Sequence, residues 1–172
     1  MTSWLLLAIR AALGVLWVWA GAVKITDPYG AVLAVRAYQL LPGDVAEVVG
    51  HLLPSLEIVV GVALLLGVLT RASAAVSAVL FGAFVIGIAS VWQRGILIDC
   101  GCFGGGGFDP DAADKYPWEI ARDVVLLAAS LLLAWRDGGR WSLDARLFRR
   151  TPEPDPQPDP HADPHADQGA LA

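Results

Sequence analysis

The residues whose type and spacing suggest chemistry are the two cysteines of the chain, Cys100 and Cys102, which flank Gly101. A chain that holds cysteine only as a close pair indicates a redox function. The Cα separation of a bent tripeptide overlaps the range that a disulfide can bridge, and glycine relaxes the backbone. Because so small a ring is strained, and strain raises the reduction potential, the pair predicts a labile, oxidising disulfide and not a structural one.

The residues that follow the pair bear on access to it. A glycine run at positions 104–107 predicts that both sulfurs are exposed to an approaching partner thiol. Two other interpretations remain open, namely a pair of unreactive loop thiols and a zinc site. Zinc is disfavoured because two thiolates leave two further ligands to be found.

The elements that position this loop are predicted to be membrane helices. The chain is 56% hydrophobic, above the content of soluble domains, and it has apolar runs near the length that crosses a bilayer. The fold class is therefore all-α, a four-transmembrane-helix bundle with a short interfacial helix at residues 31–41, between spans one and two. The four spans are predicted at residues 4–23, 52–69, 72–92 and 118–135.

The fourth span is the weakest of the four, because Arg122 and Asp123 lie one turn inside it. Six tryptophans near the span ends support the set, since indole rings favour the headgroup level. Small residues four apart predict close helix contact along the third span. The first span has one alternative, a signal peptide cleaved near residues 20–22, which Arg10 and the absence of an early cationic region disfavour. The tryptophans are Trp4, Trp17, Trp19, Trp92, Trp118 and Trp135; the small residues are Ala78, Gly82, Ala83 and Gly87.

Charge predicts the orientation. A dense arginine cluster follows the last span, so the positive-inside rule places both termini in the cytoplasm and the cysteine loop outside the cell membrane, where disulfides persist.

The tail at 151–172 holds one Glu and four Asp, which account for the net charge of −5. The membrane domain at 1–150 is then near neutral, which excludes nucleic acid as a partner. The proline-rich tail is predicted to be disordered, and His161 and His165 in it are predicted to be solvated and not metal ligands.

Ionisable residues inside spans are functional or structural candidates, because an unpaired charge there is costly. Antiparallel packing of spans one and two would let Arg10 meet Glu57, either as a structural ion pair or as part of a quinone or proton site. Arg122 is predicted to favour a cysteine thiolate or to anchor in the headgroups. Lys24 and Arg36 are predicted to bind lipid phosphates.

Several of these residues recur in a known pattern. Arg10, Lys24 with Asp27-Pro28, Tyr38, Pro54 with Glu57, and the segment Asp99-Cys100-Gly101-Cys102-Phe103-Gly104 resemble the methylamine utilisation protein MauE family, which is related to DoxX-like membrane proteins. The resemblance covers about residues 2–135. It implies a four-helix membrane protein that matures a disulfide-rich exported enzyme, methylamine dehydrogenase in the namesake, together with a thioredoxin-like companion.

The sequence thus favours a membrane protein that exchanges electrons through Cys100 and Cys102 with an extracytoplasmic thioredoxin-fold partner. A membrane quinone is a candidate electron acceptor, although no motif requires one. The main alternative is a non-catalytic assembly factor that scaffolds a partner in the membrane. A small-molecule transporter is a weaker alternative, because four short helices show no internal repeat.

Overall fold

The computed structural model describes residues 2–136, with side chains from Trp4 onward. This part of the chain folds as five helices and one short hairpin. The helices are α1 (Thr2–Thr26), α2 (Pro28–Ala37), α3 (Gly43–Leu66), α4 (Thr70–Gln93) and α5 (Ala112–Trp135), and the strands are β1 (Ile98–Asp99) and β2 (Gly107–Phe108). The predicted all-helical class is confirmed, and the tail at 151–172 lies outside the described residues.

Helices α1 and α3 pack antiparallel with their backbones in close approach. A Cβ atom added at Gly21 would lie 2.6 Å from the Pro54 carbonyl oxygen, and one added at Gly61 would lie 2.7 Å from the Val18 amide nitrogen. Glycine is needed at both positions because each added carbon would strike backbone and not a movable side chain. The predicted close contact along the third span is found only in part: Gly87 faces the Tyr38 ring, whereas Gly82 borders open space.

The second span is longer at its start than predicted. Helix α3 begins at Gly43, not at residue 52, and it runs through Pro54 without ending there. Proline removes one backbone hydrogen bond from a helix interior, but membrane-type helices tolerate it where neighbouring helices pack closely. A short helix does lie between the first two spans, but α2 runs from Pro28 to Ala37 and not from residue 31 to 41, and Asp27 caps it by accepting a hydrogen bond from the Gly30 amide. Its interfacial position stays a prediction.

A polar chain ties α1 to α4 and α5 in the core. The Trp17 indole donates to the Ser77 hydroxyl at 2.7 Å, and Ser77 bonds the Ser130 hydroxyl at 2.9 Å. Trp17 is fully buried and its ring centroid lies 4.6 Å from that of Phe81. The expectation of a headgroup position is therefore wrong for Trp17, which a buried hydrogen bond satisfies instead.

Three of the described helices are long and apolar enough to cross a membrane, spanning Trp4–Thr26, Gly43–Leu66 and Thr70–Gln93. They contain the first and third predicted spans and most of the second. Helix α5 covers the predicted fourth span and is as long as α3, but five charged residues in its first half set it apart. It packs along α4. These helices make the protein a multi-pass membrane protein with α5 as an additional long helix.

Candidate functional site

The two cysteines lie in the loop of the β1–β2 hairpin, which the sequence did not predict. Ile98 pairs with Phe108 and Asp99 with Gly107, so residues 100–106 form a closed loop. The base of the hairpin is fixed by Tyr116 of α5, whose hydroxyl accepts from the Ile98 amide at 3.0 Å and donates to the Ile96 carbonyl at 2.7 Å. The loop is therefore anchored to the start of α5.

Both cysteine carbonyls are held by side chains from other helices. Tyr38, at the end of α2, donates its hydroxyl to the Cys100 carbonyl at 2.6 Å. Lys24, near the end of α1, donates to the Cys102 carbonyl at 2.7 Å. Because side chains at the ends of two separate helices bind these two carbonyl groups, the loop is tied to both α1 and α2 in this form. These contacts also place the connection after α1 and the loop after α4 at the same end of the bundle.

Lys24 also forms a buried ion pair with Glu57 of α3. The Nζ to Oε1 distance is 2.5 Å, and the side chains are 6% and 0% exposed. The expected Arg10–Glu57 pair is therefore wrong. The register that sets Gly21 against Pro54 places Arg10, which is also buried, about level with Leu65. That is eight residues, or about 12 Å of helix, from Glu57.

The structure bears on the lipid-phosphate role that was predicted for Lys24 and Arg36. Lys24 is buried within the protein, so it does not serve as the predicted lipid-phosphate anchor. Arg36 is partly exposed and pairs with Glu47 of α3 at 2.7 Å. An exposed pair of this kind contributes little to stability. Its exposure leaves a headgroup contact available to Arg36.

Both thiols are free, and both are buried. Cys100 is 7% exposed and Cys102 is 1% exposed. The expectation that the glycine run exposes the sulfurs is wrong: at Gly101 and Gly106 an added Cβ would lie under 3 Å from the Ala34 side chain of α2. Glycine thus lets the loop close onto α2 instead of standing away from it.

The two sulfurs lie within reach of each other. The Cys100 Sγ accepts from the Cys102 amide at 3.4 Å, and the two thiols share a hydrogen bond. That hydrogen bond, burial and the nearby Asp123 raise the pKa of the Cys102 thiol well above its usual value, against the opposing effect of Lys24. Cys102 is therefore a neutral thiol at physiological pH, and it must lose a proton before it can react as a nucleophile.

Helix α5 brings two carboxylates to the thiols, and neither was among the predicted site residues. The Cys102 thiol lies 4.0 Å from the Oδ2 atom of the fully buried Asp123. One turn earlier, Glu119 is a hydrogen-bond partner of the Cys100 thiol. Residues four apart lie on one helix face, so the Glu119–Asp123 spacing was the signal that could have identified them.

Arg122 lies next to this carboxylate pair, and its charge interacts with both cysteines. Its Nε donates to Asp123 Oδ1 at 3.0 Å, and its guanidinium lies 4.3 Å from the centroid of the Phe103 ring in the cysteine loop. Arg122 therefore joins α5 to the loop through both contacts. The predicted effect of Arg122 on the thiolate stays a prediction.

A small cavity of about 30 Å³ adjoins the loop, with Lys24, Pro54, Phe84 and Cys100 among its lining residues. This is about the volume of one water molecule. The site in this form is closed and packed. Among the described residues, no group of three or more His, Cys, Asp or Glu side chains could hold a metal ion, and His161 and His165 lie outside those residues.

A comparison against protein families assigns the described part of the chain to a family. The family model described as methylamine utilisation protein MauE matches residues 2–136, which include every helix and the cysteine loop. The chain belongs to the MauE family. No curated protein and no solved structure matches the chain. The resemblance read from the motif residues is thereby confirmed, with almost the same bounds.

Proposed function

We propose that this MauE family member is a membrane thiol-disulfide redox protein in which Cys100 and Cys102 interconvert between a dithiol and a disulfide. The observation that carries the proposal is the contact between the two free thiols in a loop whose two cysteine carbonyls are separately fixed. An inert loop needs neither a buried lysine nor a tyrosine on its peptide groups.

The partner in this proposal is an extracytoplasmic thioredoxin-fold protein with its own dithiol or disulfide. With α5 as the fourth span, both termini are cytoplasmic and the hairpin faces outward, into an oxidising compartment. The family description links the family to methylamine utilisation. Maturation of a disulfide-containing exported enzyme of that pathway is accordingly one role that fits the proposal, and disulfide formation in other exported proteins is a broader one.

The reaction proceeds by two exchanges. The Cys100 thiolate attacks one sulfur of the partner disulfide, which forms a mixed disulfide and releases the other partner sulfur as a thiolate. The Cys102 thiolate then attacks the Cys100 sulfur and releases the second partner thiolate. The pair loses two electrons and two protons, and the partner gains them. Cys100 acts first because it is the less buried thiol.

Access requires the cysteine loop to move. Both sulfurs are buried in a cluster with side chains of α4 and α5, so a partner must meet a form in which the hairpin loop has moved away from these helices. The glycine run at 104–107 has positive φ throughout and supplies the flexible backbone for that motion.

Trapping in intact cells tests the proposal. Cys102→Ser is expected to accumulate a mixed disulfide through Cys100, whereas the matched variant Cys100→Ser is expected to accumulate little. A membrane-impermeant alkylating reagent should label the reduced pair from outside. Thiols that stay reduced under oxidant and form no mixed disulfide would contradict the proposal.

Burial of both sulfurs favours one second candidate, a non-catalytic assembly factor. In that role the cysteines would only pack the loop against α2 and α5. The double variant Cys100→Ala with Cys102→Ala would then still support maturation of the exported client protein. The redox role predicts complete loss of function in the same double variant.

A further inference from the structure

A second feature of the site concerns the protons that the redox reaction must move. Oxidation of two neutral thiols releases two protons, and both thiols lie in a buried loop away from bulk water. A buried thiol reacts only if a nearby group accepts its proton. Helix α5 presents one carboxylate to each cysteine.

The two carboxylates are positioned separately. Asp123 is fully buried, with Oδ1 held by Arg122 at 3.0 Å, which leaves Oδ2 facing the Cys102 thiol at 4.0 Å. Glu119, one turn before Asp123 on the same helix face, lies beside the Cys100 thiol, and its Oε2 atom is buried without a hydrogen-bond partner among the described residues. A carboxylate oxygen that is buried without a hydrogen bond costs stability. It also leaves Glu119 with an acceptor that is available for a proton.

We infer that Glu119 and Asp123 are the proton acceptors of the two thiol-disulfide steps, Glu119 for Cys100 and Asp123 for Cys102. This inference rests on the proposed redox function. In the first step the Cys100 proton passes to Glu119 as its sulfur attacks the partner disulfide. In the second, the Cys102 proton passes to Asp123 as its sulfur attacks the mixed disulfide. The two departing partner thiolates take up protons in turn, so protons and electrons balance.

A simpler role for Asp123 predicts the opposite kinetic effect. If the carboxylate only repelled a neighbouring thiolate, its neutralisation would make Cys102 more reactive. If it accepts the proton, neutralisation makes Cys102 less reactive, because general-base assistance is worth about 10²–10⁴-fold. The sign of the rate change in Asp123→Asn therefore separates the two roles.

The experiment uses the full chain in detergent micelles with a small aromatic disulfide reagent that releases a coloured thiolate. Attack by Cys100 releases one equivalent, and attack by Cys102 on the mixed disulfide releases a second. Asp123→Asn is expected to slow only the second release, by 10-fold or more. Glu119→Gln is expected to slow the first by a similar factor.

Three comparisons make the result decisive. An unchanged first release in Asp123→Asn shows that the variant is folded, and Asp123→Glu should recover part of the second rate. Glu47→Gln, an exposed carboxylate on α3, should change neither phase. A faster second release in Asp123→Asn, or an unchanged first release in Glu119→Gln, would overturn the inference. Absence of a second release in the unaltered protein would instead contradict the redox function itself.

Discussion

The two sides of the cysteine loop differ in what they contact. On one side, Lys24 of α1 and Tyr38 of α2 bind the carbonyl groups of the two cysteines. Both also reach the Cys102 thiol, Tyr38 as a hydrogen-bond partner and Lys24 through its charge. On the other side, Glu119 and Asp123 of α5 face the sulfurs and leave the backbone alone. Only the first side therefore holds the loop backbone, whereas only α5 presents carboxylates, which can accept a proton, to the sulfurs.

The largest effect is expected from removing the buried positive charge of Lys24. Lys24→Met leaves Glu57 as an uncompensated carboxylate in a fully buried site. Removal of one partner of a buried ion pair costs about 3–5 kcal/mol. We therefore expect the free energy of unfolding, measured by denaturant titration in micelles, to fall by about that amount.

The double variant Lys24→Met with Glu57→Leu serves as its control. Replacement of both charges by apolar groups removes the unpaired carboxylate, so much of the lost stability should return. A loss below about 1 kcal/mol in the single variant would show that the pair is not buried as described.

The next effect concerns the glycine contacts that hold α1 against α3. Gly21→Ala and Gly61→Ala each place a carbon under 3 Å from backbone atoms of the other helix. Overpacking of this kind costs about 1–3 kcal/mol. Gly82→Ala is the matched control: it borders open space, and alanine favours a helix by about 1 kcal/mol over glycine. Thermal unfolding should separate the two classes, and equal stability changes would contradict the packing.

A smaller effect is expected at Tyr38. Tyr38→Phe keeps the ring against Gly87 but removes the hydrogen bond to the Cys100 carbonyl. Loss of one such bond costs about 1 kcal/mol. We expect a loss of that size in unfolding free energy, together with faster proteolysis of the loop. Tyr29→Phe, which alters an exposed tyrosine on the same helix, should change neither quantity.

The smallest effect is expected in the way the alkylation rate of Cys102 depends on pH. Because the pKa of Cys102 is raised in the folded protein, its alkylation rate should keep rising with pH beyond the ordinary thiol pKa of about 8.5. The neutral thiol is the form that the fold favours. Its contribution to stability is therefore complete below about 8.5 and is lost as the pH rises through the higher folded pKa.

The unfolded protein provides the reference for this titration. In denaturant the same cysteine should reach its full alkylation rate near the ordinary value. A folded protein whose Cys102 titrates at or below that value would mean that Asp123 and burial do not control the thiol.

Much of the fold could be predicted from the lengths of the apolar runs in the sequence, but the contacts within the site could not. The segment from Thr70 to Gln93 could be predicted as a helix because most of its residues are apolar and no proline interrupts it. The start of α3 was predicted too late, at residue 52, because the helix also includes the polar residues Asp44, Glu47 and His51, which lie outside the apolar run. The hairpin was missed because its strands are only two residues long and the loop between them is rich in glycine.

The site was predicted in its reactive residues and missed in its surroundings. Cys100 and Cys102 are evident from spacing, whereas Lys24 is 33 residues from Glu57 and 78 from Cys102, so only the helix register brings them together. Arg10 has the same charge but lies at the wrong depth. Glu119 and Asp123 carry a weak signal, their spacing of four, which gains meaning once α5 is known to pass the cysteine loop.

The central claim, that Cys100 and Cys102 form one redox pair, is tested most directly by equilibrating the purified protein with glutathione buffers of graded potential. Acid quenching, alkylation and mass measurement then count the free thiols. If the two cysteines form one redox pair, both thiols disappear together in one two-electron transition, with the fully reduced and fully oxidised chains as the main species. Two thiols that remain alkylatable at every potential, or that are lost independently as glutathione adducts, would contradict it.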